Sequence, residues 1–88
     1  MITLIDFYAD WCAPCQALKP ILHNVEGFFN GKIIVERVNV DQDSAKASQF
    51  GIMSIPTLVI LKDGAEIDRK MGLMSEQSLK QWIESHLK

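Results

Sequence analysis

The sequence predicts an α/β fold, a mixed sheet of four strands with helices on both faces. The first predicted elements are a strand, a helix and a strand, and this order implies a right-handed parallel crossover. Asp63-Gly64 lies between the last two predicted strands, and this dipeptide is typical of a β-hairpin turn, which implies antiparallel pairing. Three further segments carry sequence patterns typical of helices, and we expect these helices to cover the sheet.

The first part of the chain predicts a strand, a helix and a second strand. Residues 2–9 form a short apolar run rich in β-branched and aromatic residues, so a buried strand is favoured over a helix. Residues 14–29 carry apolar side chains at helical spacing, and Asn30-Gly31 follows as a stop signal. Residues 33–40 are apolar at the start and alternate at the end, which predicts the second strand.

The second part predicts a short helix, a hairpin and a final helix. Asp43 can cap a helix over residues 43–50. Residues 57–61 and 66–71 are the two strands of the hairpin. The last helix begins after Ser75, which is a suitable cap. We expect its core face to consist of Leu79, Trp82, Ile83 and Leu87.

Length and composition limit the classes of function. A chain of 88 residues with 48% hydrophobic content predicts one domain over residues 1–88. The net charge is -2 and no basic run is present, which argues against binding to nucleic acid or to an anionic membrane. We expect neither a signal peptide nor a membrane span, since no basic leader precedes a cleavage site and no apolar run approaches about 20 residues. A cytoplasmic location is the resulting expectation.

The two cysteines of the chain lie three positions apart in ADWCAPCQALKP, residues 9–20. Cys12 falls at the end of the first strand, and Pro14 suits the first turn of the next helix. A helix N-terminus stabilises a thiolate, so Cys12 can titrate near pH 7, about 1.5 units below a free thiol. Cys15 lies one turn further on the same face, where a disulfide can close. Cys12 is therefore the candidate attacking thiol and Cys15 the resolving thiol.

A metal site and simple packing are the alternatives for this pair. Zinc needs about four ligands, and only His23 and His86 remain as soft donors. Neither histidine belongs to a recognised Cys/His spacing, although two chains could share a cluster. Packing alone does not account for the neighbouring tryptophan and proline. We expect no metal and no bound cofactor.

Beyond the cysteines, the sequence resembles the thioredoxin family over nearly its whole length. DFYADWCAPCQALKPIL is similar to the active-site strand and helix of the family, VNVDQD to the end of its next strand, and SIPTLVILKDG to its proline loop and hairpin. The resemblance implies a thioredoxin-like sheet with strand order 2-1-3-4. Ala13 stands where the family usually has glycine, and Tyr8 where it usually has tryptophan. Family members usually begin with a further strand and helix, which would precede Met1.

The resemblance implies a proton-transfer role for Asp6, which interrupts the apolar first strand. A buried carboxyl would have a raised pKa, whereas the alternative is a carboxylate that reaches a strand edge. The family carries a buried aspartate here, which helps to deprotonate the resolving cysteine, in this chain Cys15. Arg37 occupies the place of a family lysine and could pair with Asp6 and hold it ionised. The alternative is that Arg37 is solvated on its strand.

The resemblance also implies a substrate-binding surface around the cysteine pair. From sequence alone the Ile55-Pro56 bond is expected to be trans, but the matching family proline is cis and faces the cysteines. The Ile55 backbone can then pair with an extended substrate peptide. The full set implied is Trp11, Ala13, Pro14, Ile55, Pro56 and Gly72. Trp11 is expected to be a partly exposed contact rather than a core aromatic, and Gly72 to allow close approach of substrate rather than only a turn.

The function implied is that of a protein disulfide reductase. Its partners would be disulfide-containing proteins and an NADPH-dependent thioredoxin reductase. One alternative is a thiol oxidase or isomerase, but strong oxidants of the superfamily often carry a histidine between the cysteines, where this chain has Ala13-Pro14. Another is a non-catalytic binding or scaffold domain. This alternative is suggested by the strand and helix with which family members usually begin and which this sequence lacks before Met1. Strand 33–40 would then be a sheet edge through which an otherwise monomeric chain could weakly self-associate.

Overall fold

The computed structural model describes residues 1–88 and contains each of the predicted elements. Every predicted boundary lies within one residue of the observed one. The strands are β1 (Ile2–Tyr8), β2 (Ile33–Asn39), β3 (Thr57–Lys62) and β4 (Ala65–Met71). The helices are α1 (Ala13–Phe28), α2 (Ser44–Gln49) and α3 (Glu76–Leu87).

The four strands form one sheet in the order β2-β1-β3-β4, which confirms the predicted order. β1 is parallel to β2 and antiparallel to β3, and β3 is antiparallel to β4. The hairpin turn between β3 and β4 contains Asp63 and Gly64, both with positive φ, as a tight two-residue turn of this kind requires. The two central strands are covered on both faces, and this burial explains why β1 and β3 are nearly continuous apolar runs.

Helices cover both faces of the sheet, as predicted. α1 and α3 pack against one face around a core of twelve buried residues that includes Leu4, Leu22 and Leu79. α2 and the segment after it cover the other face, where Phe50 packs against Phe7 with ring centroids 5.4 Å apart. The larger core lies on the side of α1, the helix that begins at the cysteine pair.

The helix starts follow the capping signals in the sequence. Asp43 caps α2 by accepting the Lys46 N–H, and Ser75 caps α3 by accepting the Ser78 N–H. The predicted core face of α3 is correct except for Leu87, which is exposed because it is the last residue of the helix and has left the core.

Candidate active site

The cysteine pair lies where β1 ends and α1 begins. Cys12 is the N-cap residue of α1, with extended backbone, and Pro14 follows in the first turn. Cys12 and Cys15 are joined in a disulfide, and their Cα atoms are 5.2 Å apart. The N–H of Cys15 donates to the Sγ of Cys12 over 3.3 Å. This N–H, which belongs to the first turn and has no partner within the helix, and the positive end of the helix dipole therefore both act on Cys12, and they favour its thiolate once the disulfide is reduced.

Both cysteines lie below the surface, and Cys12 is the more accessible. Cys12 keeps 5% of its surface exposed and Cys15 2%. The Sγ of Cys12 is 3.9 Å from the carbonyl oxygen of Ile55, which approaches from the loop before β3. The loop before β3 therefore lies directly beside the sulfur of Cys12.

Asp6 is buried in the middle of β1, and only 2% of its surface is exposed. β1 is a central strand, so the alternative of a carboxylate at a strand edge is wrong. Burial raises the pKa of Asp6 to about 6, and the charges of Arg37 and then Lys19 oppose this rise. The Oδ1 atom of Asp6 has no hydrogen-bond partner. The carboxyl can thus exchange a proton near neutral pH.

Arg37 lies beside Asp6 but does not pair with it. The two residues are opposite each other in the register of β1 and β2, yet the Nη2 of Arg37 donates to the Oε1 of Glu26 on α1 over 3.0 Å. The two side chains therefore form no direct ion pair, and the exposed Arg37 agrees better with the alternative of a solvated arginine, although its charge still opposes the rise in the pKa of Asp6. Glu26 is a partly exposed partner, so Arg37 keeps its solvation there, whereas following Asp6 into the core would desolvate the guanidinium.

The loop before β3 forms the opposite wall of the site. The Ile55-Pro56 peptide bond is cis, as the resemblance implied. The N–H of Gly72 donates to the carbonyl oxygen of Pro56 over 2.9 Å, which connects the end of β4 to this loop. Gly72 has φ +93, and a Cβ built on it would meet no atom within 4 Å. The surface beside Pro56 is therefore open.

Trp11 forms the outer wall and is 73% exposed, which agrees with a contact surface rather than a core position. Its Nε1 donates to the Oδ2 of Asp41 over 2.8 Å. Ala13 and Pro14, which follow Cys12, are also exposed. An apolar groove of about 210 Å³ is lined by Trp11, Val40, Ala47, Ile52, Met53, Ser54 and Ile55.

Comparison with known proteins agrees with this geometry. A family model described as Thioredoxin matches residues 1–85. Thioredoxin of Chlamydia caviae is 44% identical over 85 residues, which are 97% of this chain and 82% of the relative. Thioredoxin 1 of Nostoc sp. is 43% identical over 84 residues, 96% of this chain and 78% of the relative. The chain belongs to the thioredoxin family.

The same family is found among solved structures. A mutant thioredoxin from Halobacterium salinarum superimposes with a TM-score of 0.91 at 39% identity, over 99% of this chain and 75% of that one. As a thioredoxin, the chain is a thiol–disulfide oxidoreductase, and its redox centre is the Cys12–Cys15 pair. Thioredoxins act on disulfide-containing proteins and are themselves reduced by a reductase.

Two residues of the thioredoxin site were missed by reasoning from the sequence. Asp41 fixes the indole of Trp11, and Glu26 takes the guanidinium of Arg37. A partial signal for Asp41 was its position in VNVDQD, directly after a predicted strand that lies beside the first. Glu26 carried no signal beyond its place on the predicted helix.

The remaining polar groups provide no candidate metal centre. No three histidine, cysteine, aspartate or glutamate side chains lie close enough together to hold a metal ion. The Nε2 of His86 lies 2.9 Å from the Oδ2 of Asp68.

None of the helices is both long enough and apolar enough to cross a membrane.

Proposed function

We propose that this thioredoxin is a general protein disulfide reductase in which Cys12 is the attacking thiol and Cys15 the resolving thiol. The observation that carries the assignment is the cap of α1, where the sulfur of Cys12 accepts a helix N–H from Cys15. A thiolate gains from that donor and from the helix dipole. Cys15 lies inside the helix and is less exposed, which suits a thiol that attacks only within the molecule.

The reaction proceeds through one mixed disulfide. The Cys12 thiolate attacks one sulfur of the substrate disulfide, an S–S bond forms to Cys12, and the other substrate sulfur leaves as a thiolate. Cys15 then attacks the sulfur of Cys12, which forms the Cys12–Cys15 disulfide and releases the second substrate thiolate. Protons from solvent complete the two substrate thiols. The substrate gains two electrons, and the Cys12–Cys15 pair loses two.

Asp6 accepts the proton of Cys15 in the second step. A carboxyl with a pKa of about 6 is mostly ionised at pH 7 and is still basic enough to take up a proton. Its buried and unpartnered Oδ1 supports this role, since no other hydrogen bond competes for the proton. Arg37 acts at longer range, where its charge opposes the rise in the pKa of Asp6.

The substrate lies as an extended peptide against the Pro56 loop. The proximity of the Ile55 carbonyl to Cys12 supports this assignment, because the substrate sulfur and its backbone can be bound together. The open space at Gly72 leaves room for the substrate main chain. Contacts on either side come from Trp11, Ala13, Pro14 and Pro56.

The oxidised pair is reduced by an NADPH-dependent thioredoxin reductase, whose flavin supplies the two electrons. The chain acts in the cytoplasm, a reducing compartment in which a catalytic dithiol can be returned to its reduced form. It is a monomer or associates weakly through residues 33–40. The position of β2 at the edge of the sheet supports such association, because its outer backbone groups lack a neighbouring strand.

Trapping of the mixed disulfide tests the assigned roles. Cys15→Ser should accumulate a covalent adduct with a disulfide-containing peptide, and mass spectrometry should locate the bond at Cys12. Cys12→Ser is the matched control and should give no adduct at Cys15 under the same conditions. Adducts formed through Cys15, or no adduct in Cys15→Ser, would overturn the assignment.

A further inference from the structure

The ion pair between Arg37 and Glu26 bears directly on Asp6. Arg37 is the strongest of the cations that act on Asp6, and the register of the sheet puts the two residues side by side. Its guanidinium nevertheless bonds to Glu26 on the neighbouring helix, and the Oδ1 of Asp6 is left without a partner. The partner of the Arg37 guanidinium is thus a carboxylate on α1 and not Asp6.

We propose that Glu26 is a positioning residue for the reductase: by holding the Arg37 guanidinium on the solvent side, it keeps Asp6 unpaired and available for the proton of Cys15. The inference rests on the role of Asp6 given under the proposed function. Glu26 does not touch the disulfide and acts only through Arg37.

The charged groups around Asp6 define what Glu26 can change. β2 contributes Arg37, and α1 contributes Lys19, whose Nζ lies 5.9 Å from the centre of the Tyr8 ring. On the other side, β3 places Leu58 opposite Asp6, and this residue carries no charge. Both named cations favour the carboxylate, and Glu26 is the acidic group that neutralises the stronger one.

Removal of the Glu26 charge acts on Asp6 in two ways with the same sign. The charge of Arg37 is no longer offset by a carboxylate 3.0 Å away, and the guanidinium is free to turn toward the unpartnered Oδ1 of Asp6. Both changes stabilise the ionised form of Asp6, so its pKa should fall. We expect a fall of at least about half a unit, equivalent to roughly a threefold loss of proton affinity.

Glu26→Gln with Glu36→Gln as control tests the proposal. Glu36 is the neighbour of Arg37 on β2, but it points to the other face of the sheet and pairs with Lys46. The two glutamates have similar exposure, 43% for Glu26 and 40% for Glu36. Each variant removes one negative charge and one ion pair, so a general electrostatic or structural effect would appear in both.

The measurement is the titration of the Asp6 carboxyl carbon by NMR in the oxidised protein, together with the pH profile of disulfide reduction. Glu26→Gln should lower the pKa of Asp6 and move the acidic limb of the profile to lower pH by the same amount. Glu36→Gln should change neither. In the Arg37→Gln background most of the shift caused by Glu26→Gln should disappear.

An unchanged Asp6 titration in Glu26→Gln, or an equal shift in Glu36→Gln, would overturn the proposal. A shift that persists fully without Arg37 would also overturn it, since Glu26 would then act directly. A titration that moves while the pH profile stays fixed would support the control of Asp6 by Glu26 and would refute the proton-transfer role of Asp6. The two ideas therefore fail on different measurements.

Discussion

Replacement of Asp6 by asparagine should stabilise the oxidised protein at neutral and alkaline pH relative to acid pH. Burial raises the pKa of Asp6 from 3.8 to about 6, so the folded state holds its proton more tightly than the unfolded chain does. The contribution of Asp6 to the free energy of unfolding of the wild type is therefore largest below pH 3.8. This contribution is lost as the pH rises toward 6. A shift of about two units corresponds to about 3 kcal/mol.

Asp6→Asn carries no ionisable group at this position and avoids that loss. In urea unfolding with the disulfide intact, we expect the variant to gain about 3 kcal/mol on the wild type between pH 4 and pH 8. The gain should be nearly complete by pH 7. A difference between the two proteins that does not change with pH, or that changes in the opposite direction, would refute the argument from burial.

Asp68→Asn provides a control of opposite sign. Hydrogen bonds from Trp82 and then His86 lower the pKa of Asp68, despite a smaller opposing effect of burial. The wild type therefore gains stability from this group above the unfolded pKa, near 3.8, and loses it as the pH falls through the folded value. Asp68→Asn should be less stable than the wild type at pH 8, and this deficit should shrink in acid.

Two further substitutions test the substrate side of the site. Gly72→Ala should cost about 1 kcal/mol or more in urea unfolding because φ is +93 there, although the added methyl has room; an unchanged stability would show that the loop relaxes. Asp41→Ala removes the acceptor of the Trp11 indole, so KM for a disulfide peptide should rise about threefold with kcat nearly constant, the loss of about one hydrogen bond. A fall in kcat at constant KM would instead place Asp41 in the chemical step.

Local signals in the sequence were sufficient for the secondary structure of this chain. Asp43 and Ser75 act as helix caps, and Asp63-Gly64 adopts the positive φ values that its turn requires. These features depend on only a few neighbouring residues, which explains why the predicted boundaries agree so closely with the observed ones. The strand order and the cis bond before Pro56 came from the family resemblance, because they depend on contacts between distant segments.

Neither local sequence signals nor the family resemblance could predict which charged side chains form ion pairs with each other. The family resemblance placed Arg37 near Asp6, and the register confirms that proximity. It could not indicate that a carboxylate on the helix above would bind the guanidinium, since this depends on the distance between two layers and on the solvation of each group. The contact between Trp11 and Asp41, which are 30 positions apart, was missed for the same reason.

The two faces of the sheet differ greatly in how well they are covered. The face under α1 and α3 has a core of twelve buried residues, whereas the face under α2 has four. α2 has six residues and none of its side chains is fully buried. Few buried contacts mean a low free energy of local opening, so the amide hydrogens of α2 should exchange with solvent much faster than those of β1 and β3.

This difference in burial also separates the apolar groove from the cysteine pair. Ala47 and Ile52 line the groove on the weakly covered side, whereas Cys12 begins the helix that packs on the large core. If a substrate peptide lies in this groove, we expect the wall under α2 to adjust to its side chains while the sulfur of Cys12 stays in place. Such a division would let one nucleophile react with polypeptides of different shapes, because the differences between substrates would be met by α2 and not by the reacting atoms.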